Sequence, residues 1–139
     1  MSCASPGNCS AGGYYTDGRD RTQAFVIEET NGTWGTATAV PGITVLNTGR
    51  FAQISSVSCA SAGNCSAGGF YKVTGAGQDA FVLDETNGTW GTAQQVAAAL
   101  NTGEGAQISS VSCASAGNCS AGGQYRAHGG EQAFVIGES

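Results

Sequence analysis

Apolar and polar positions alternate along this chain in short runs punctuated by Gly, Asn and Ser, and no window sustains a helical period. In residues 53–60, Val57 and Cys59 fall on one side of an extended chain while Ser56 and Ser58 fall on the other. That pattern predicts a first strand. A second follows the Ser-Ala-Gly-Asn turn and runs through Cys65 to about Tyr71, and a third covers residues 80–86. Asn87-Gly88 then suits a type I′ turn, whose two central residues need positive φ. A fourth strand starts at Thr89-Trp90 and fades by Val96; the Ala-rich stretch from Ala97 is too short to count as a helix.

The same order recurs. Cys3, Cys59 and Cys113 are spaced by 56 and 54 residues, Phe25, Phe81 and Phe134 by 56 and 53, and Trp34 and Trp90 by 56. The chain therefore reads as one repeat domain, residues 1–139, with units at 1–51 and 52–105 and a partial third at 106–139. Each unit opens with a cysteine pair and SAGG, continues through QAFVIEET or DAFVLDET into NGTWGTA, and ends at LNTG. Paired glycines inside a strand point to close approach of a neighbouring sheet or to a bulge; a flexible loop is the other reading.

Composition narrows the architecture. Val, Ile, Leu and Phe total only 22 of 139 residues against 23 Gly, which favours thin stacked layers over one thick core. The net charge of −5, with Arg19, Arg21, Arg50, Lys72 and Arg126 scattered, offers no stripe for nucleic acid. No apolar run is long enough for a membrane helix. The six cysteines form three pairs of one spacing, Cys3/Cys9, Cys59/Cys65 and Cys113/Cys119. A repeating unit is expected to close each pair as its own disulfide, worth about 2 kcal/mol by loop closure. The gap is too wide for a usual zinc knuckle, so no metal is expected. Disulfides imply an oxidising, extracellular or cell-surface setting, and with no signal peptide at either end the chain is expected to be trimmed or part of a longer secreted one.

SVSCAS-x-GNCSAGG with QAFV-x-x-ETNGTWGTA resembles the cysteine-paired β-propeller repeats of large secreted bacterial proteins, over nearly the whole chain. The ETNGTWG hairpin is also similar to a shortened Asp-box of sialidase-like propellers, without the turn aspartate. The resemblance implies an all-β fold of four-stranded antiparallel blades, about two and a half here. Closed propellers take roughly 4 to 8 blades, so a ring would need other copies of the chain, with a homodimer the first expectation and a trimer or filament the alternatives. A β-trefoil or β-prism monomer is the alternative fold.

Few residues break the repeat, as a catalytic centre would. His128 stands alone in a Gly-rich loop beside Glu131 and reads as solvated. Glu28 with Glu29, and Asp84 with Glu85, are adjacent on strands and face opposite ways, so neither couple forms a glycosidase pair by itself. No catalytic residue and no cofactor is expected, and the chain reads as a non-enzymatic binding scaffold. Trp34 and Trp90 with Asn47 and Asn101 are the candidates for a carbohydrate site between blades, against readings as packing anchors and turn residues. The partners implied are further copies of the chain, with a glycan or cell-surface protein meeting the variable loops at 16–22, 73–79 and 127–131.

Overall fold

The computed structural model describes residues 1–102, 105–127 and 129–138. Among them the fold is all-β and antiparallel within each sheet, with three sheets and no closed barrel. The first sheet holds β1 (Ser2–Ser5), β2 (Asn8–Thr16), β3 (Thr22–Thr30), β4 (Thr33–Trp34) and β5 (Thr38–Ala39), the last two both pairing with β3. A single helical turn, α1 (Ile43–Leu46), leads to the second sheet of β6 (Ala52–Ser61), β7 (Asn64–Val73), β8 (Gly77–Thr86), β9 (Thr89–Trp90) and β10 (Gln94–Val96). The third sheet has β11 (Gln107–Ser115), β12 (Asn118–Ala127) and β13 (Gly130–Gly137).

The expected strands are present, with two differences. The third strand of the unit starts at Gly77, because its pairing with β7 continues to Val73. The fourth is split. Gly91 N–H still bonds Asp84 O at 2.8 Å, but Ala93 N–H turns away to Pro41 O of the preceding unit at 2.9 Å, and the ladder resumes only at Gln94. The turn of helix at Ile43 is too short to leave a period in the sequence; it forms where Ile43 is buried after Gly42 takes φ +78°.

Both Asn-Gly hairpins have positive φ at both residues, +50° and +80° at Asn31-Gly32 and +50° and +79° at Asn87-Gly88. Each hairpin docks on the first turn of its own sheet. Gly32 N–H bonds Gly7 O and Gly88 N–H bonds Gly63 O, both at 2.9 Å, while Asn8 Oδ1 and Asn64 Oδ1 accept from Asn31 and Asn87 N–H. This accounts for the Gly-Asn before each second cysteine. The disulfides are Cys3–Cys9, Cys59–Cys65 and Cys113–Cys119, each between directly opposed residues of the first hairpin of its sheet.

The sheets pack face to face through contacts of β2 with β6 and of β6 and β7 with β11. The paired glycines explain how. A Cβ on Gly12 would lie 2.7 Å from Ile54 Cγ2, and one on Gly68 would lie 2.7 Å from Ile108 Cγ2, so the first glycine makes room for the next sheet. The second faces a bulge: a Cβ on Gly69 or Gly123 would sit 1.9 Å from Gln53 O or Gln107 O, where the first strand shifts register. That bulge also puts Ile54 and Val57, three residues apart, into the same core against the first sheet. On the other face, Ser56 and Ser58 hydroxyls accept from Val111 and Cys113 N–H at 3.0 Å, as Ser2 does from Cys59 N–H.

Gly68→Ala forces a methyl onto the branched carbon of Ile108 and should cost roughly 1–3 kcal/mol. At Gly122 the same substitution meets nothing nearer than Phe134 O at 3.8 Å, and in dilute solution it should change stability by no more than about 0.5 kcal/mol. Urea unfolding of the two variants checks the contrast.

Candidate functional site

The polar feature of the fold that packing alone leaves unexplained lies at the seam between the first two sheets. Alternation along β3 and β8 sends Glu28 and Glu85 to opposite faces of their own sheets, and stacking then sets them against each other. The carboxylate pair therefore joins the first acidic position of one unit to the second of the next. Glu28 is fully engaged: the Ser10 hydroxyl donates to Oε2, and the Trp90 indole N–H donates to Oε1 at 2.7 Å. Ser10 Oγ also lies 3.2 Å from Cys65 Sγ. Glu85 is only 4 % exposed, and neither of its oxygens has a hydrogen-bond partner.

Burial, reinforced by the Glu28 charge, pushes the Glu85 carboxyl from its usual range up to about 7. Beside it runs a cleft of about 390 Å³, lined by Ser10, Glu28, Glu29, Glu85 and Asn87 together with Cys9, Cys59 and Cys65. The second seam repeats the theme. Ser66 donates to Asp84, and Glu138 is raised by desolvation and by Asp84, with a Ser66 hydrogen bond opposing. A cleft of about 260 Å³ holds Ser66, Asp84, Glu85 and Glu138. Among the described residues, no group of three or more His, Cys, Asp or Glu is placed to hold a metal ion.

The sequence candidates do not converge on one site. Trp90 is half-buried against the core and bonded to Glu28, whereas its counterpart Trp34 is 44 % exposed. Asn47 is buried, with its amide donating to Thr22 O and Gln23 Oε1 and its oxygen accepting from Phe51 N–H at 2.7 Å. Asn101 repeats this, donating to Gln78 O and Asp79 and accepting from Gly105 N–H. Both asparagines thus tie the start of a third strand to the crossover into the next sheet. Asn47 meets Gln23 while Trp90 meets Glu28, five residues further along β3 and roughly 16 Å away at strand rise. His128 lies outside the described residues.

The loop at 16–22 is organised by its own acid. Burial acts to raise Asp17, but backbone N–H groups of Arg19 and Arg21 and the Arg21 guanidinium outweigh it and hold the carboxyl at about 2. Arg50 bonds Arg19 O and Lys72 stands 5.6 Å over the Phe51 ring, so these cations serve local structure. The sequence shows the acidic positions but pairs them only within a unit; Glu28 and Glu85 stand 57 residues apart against a repeat step of 56, so matching equivalent positions does not join them. No known family model and no curated protein matches the chain. No helix among the described residues is long and apolar enough to cross a membrane.

A carboxyl at about 7 beside an engaged carboxylate has the charge states of an acid–base pair. Glu28 already holds two donors, and Glu85, though it lines the cleft, is 4 % exposed. Its measurable effect falls on stability. Glu85 takes up a proton on folding between its unfolded and folded values, so its contribution is complete below about pH 4.5 and is lost as pH rises through about 7. The melting temperature should therefore fall as pH is raised from about 5 to about 8, and Glu85→Gln should flatten that slope. Circular dichroism melts across the range check this; equal slopes in both proteins would remove Glu85 as the cause.

Proposed function

We propose that the chain is a β-propeller-type module, a self-assembling, non-enzymatic binding scaffold of the extracellular space, with its sheets acting as blades. The observation that carries this reading is a gradient of burial at equivalent positions. Val26 is 1 % exposed at the first seam, Val82 is half-buried at the second, and Val135 on the third sheet is 78 % exposed. Ser56 and Ser58 bond the backbone of the next sheet, while their counterparts Ser110 and Ser112 are exposed. Gly12 and Gly68 each meet an isoleucine, and Gly122 does not. At the opposite end Trp34 is exposed where Trp90 is covered.

Each end thus carries the surface that the interior buries. A head-to-tail contact between copies would cover both ends, and two copies would supply five to six blades, within the roughly 4 to 8 of closed rings. The three intramolecular disulfides are consistent with an oxidising environment and support placing the module outside the cell. The differing loops between second and third strands are the surface offered to other partners.

Sedimentation velocity and native mass spectrometry over a concentration series test the reading. A discrete dimer is expected, and Val135→Glu should dissociate it without lowering the melting temperature of the dilute chain. A strictly monomeric wild-type chain at every concentration would overturn it.

A further inference from the structure

The cleft of about 390 Å³ at the first seam lies between two stacked sheets, and residues of both line it. Its acidic pair is unevenly served. Each Glu28 oxygen accepts one hydrogen bond, from Ser10 or Trp90, whereas the Glu85 carboxyl is 4 % exposed and, among the described residues, meets no donor at either oxygen. An ionised carboxylate offers about four lone-pair sites, so the pair holds several acceptors still to be used. No Lys, Arg or His lines the cleft. Packing alone gives no reason for the second acid, since an apolar side chain of similar length would fill the seam without the cost of burying a carboxyl.

We infer that this cleft binds a primary ammonium group, held between the Glu28 and Glu85 carboxylates. An ammonium carries three N–H donors around one compact charge, which suits acceptors converging from β3 and β8. A divalent metal ion fits less well. Calcium takes about six to eight oxygen ligands, and among the described residues no group of three or more His, Cys, Asp or Glu is placed to hold a metal. A quaternary ammonium has no N–H to give and is held by aromatic faces, but Trp90 turns its N–H edge to the pair. The remaining lining includes Ala4, Ala62, Gly63 and Gly88, which present no bulky side chain for an alkyl stem to displace.

Binding at this point is coupled to protons. Burial and the Glu28 charge raise the Glu85 carboxyl to about 7, and an ammonium beside it favours the ionised form, so binding sends the Glu85 proton to solvent. Glu28 and Glu29 on β3 are the other charged residues lining the cleft, and Glu28 is the one that acts on Glu85; Ser10 and Trp90 face the pair as neutral donors. Affinity therefore rises with pH up to about 7 and then levels off. Every residue of the site belongs to one chain, so its occupation does not require copies to associate.

The test follows the Trp90 indole N–H by NMR in the isotope-labelled full chain. Trp34, paired with Glu29 and so on the other face of the first sheet, is the internal reference. Butylammonium chloride titrated in about 0.15 M sodium chloride should shift the Trp90 resonance along a single-site saturation curve and leave Trp34 in place. Tetramethylammonium should give no saturable shift. Between about pH 5.5 and about pH 8 the affinity for butylammonium should rise about thirtyfold, the ratio of ionised Glu85 at the two values. Glu85→Gln should weaken binding at least about tenfold with the circular dichroism spectrum retained. Asp20→Asn removes the same charge from an exposed loop and should leave the affinity within about twofold. Blocked lysine and glucosamine, titrated in parallel at about pH 7, tell a peptide side chain from an amino sugar as the source of the ammonium. No saturable shift at Trp90, equal binding of tetramethylammonium, a pH-independent affinity or equal loss in the two variants would overturn the inference.

Discussion

The structure depends on the approach of an isoleucine to a strand that has no side chain at the point of contact. Gly12 under Ile54 and Gly68 under Ile108 let two sheets close to backbone distance, and the small apolar supply of the chain then suffices to fill each seam. Serine hydroxyls on the inner strands can reach the next sheet's N–H groups only because the sheets are that close. The bulge that the second glycine accommodates is part of the same device, since it turns Ile54 and Val57 to one face. Stability in such a stack is a sum over neighbouring pairs, with the disulfides holding the first hairpin of every layer in register.

Much of this was legible in the chain. Asn-Gly marked both third hairpins, the cysteine spacing marked the first, and the glycine pair announced a close neighbour or a bulge, of which both are present. The site was less legible for a definite reason. Glu28 and Glu85 belong to different units and to different positions within them, so neither alternation along one strand nor comparison of equivalent residues pairs them. The split of the fourth strand left no mark in the alternation, although it recurs in the first sheet, where Gly35 N–H bonds Glu28 O and the ladder resumes at Thr38. Asn47 and Asn101 carried the composition of a sugar site, yet the crossovers they hold occupy their donors and acceptors.

The seams combine economy with a cost. A buried, unpartnered carboxyl opposite a second acid is unfavourable when both are ionised, and Glu85, raised to about 7, relieves this by holding its proton below neutrality. Ser10 and Trp90 steady the other member of the pair with a hydrogen bond to each oxygen. At the second seam Ser66 again donates to Asp84 and a second acid, Glu138, again faces it, but Glu138 is exposed, so the pairing of acids recurs and the burial does not.

The Ala93–Pro41 bond gives the stack a direction. The second layer leans on the first, so during translation its sheet emerges onto a template already in place. A chain built this way is laid from its amino end as a wall is, course upon course, and a defect in the first course falls on the one that rests on it.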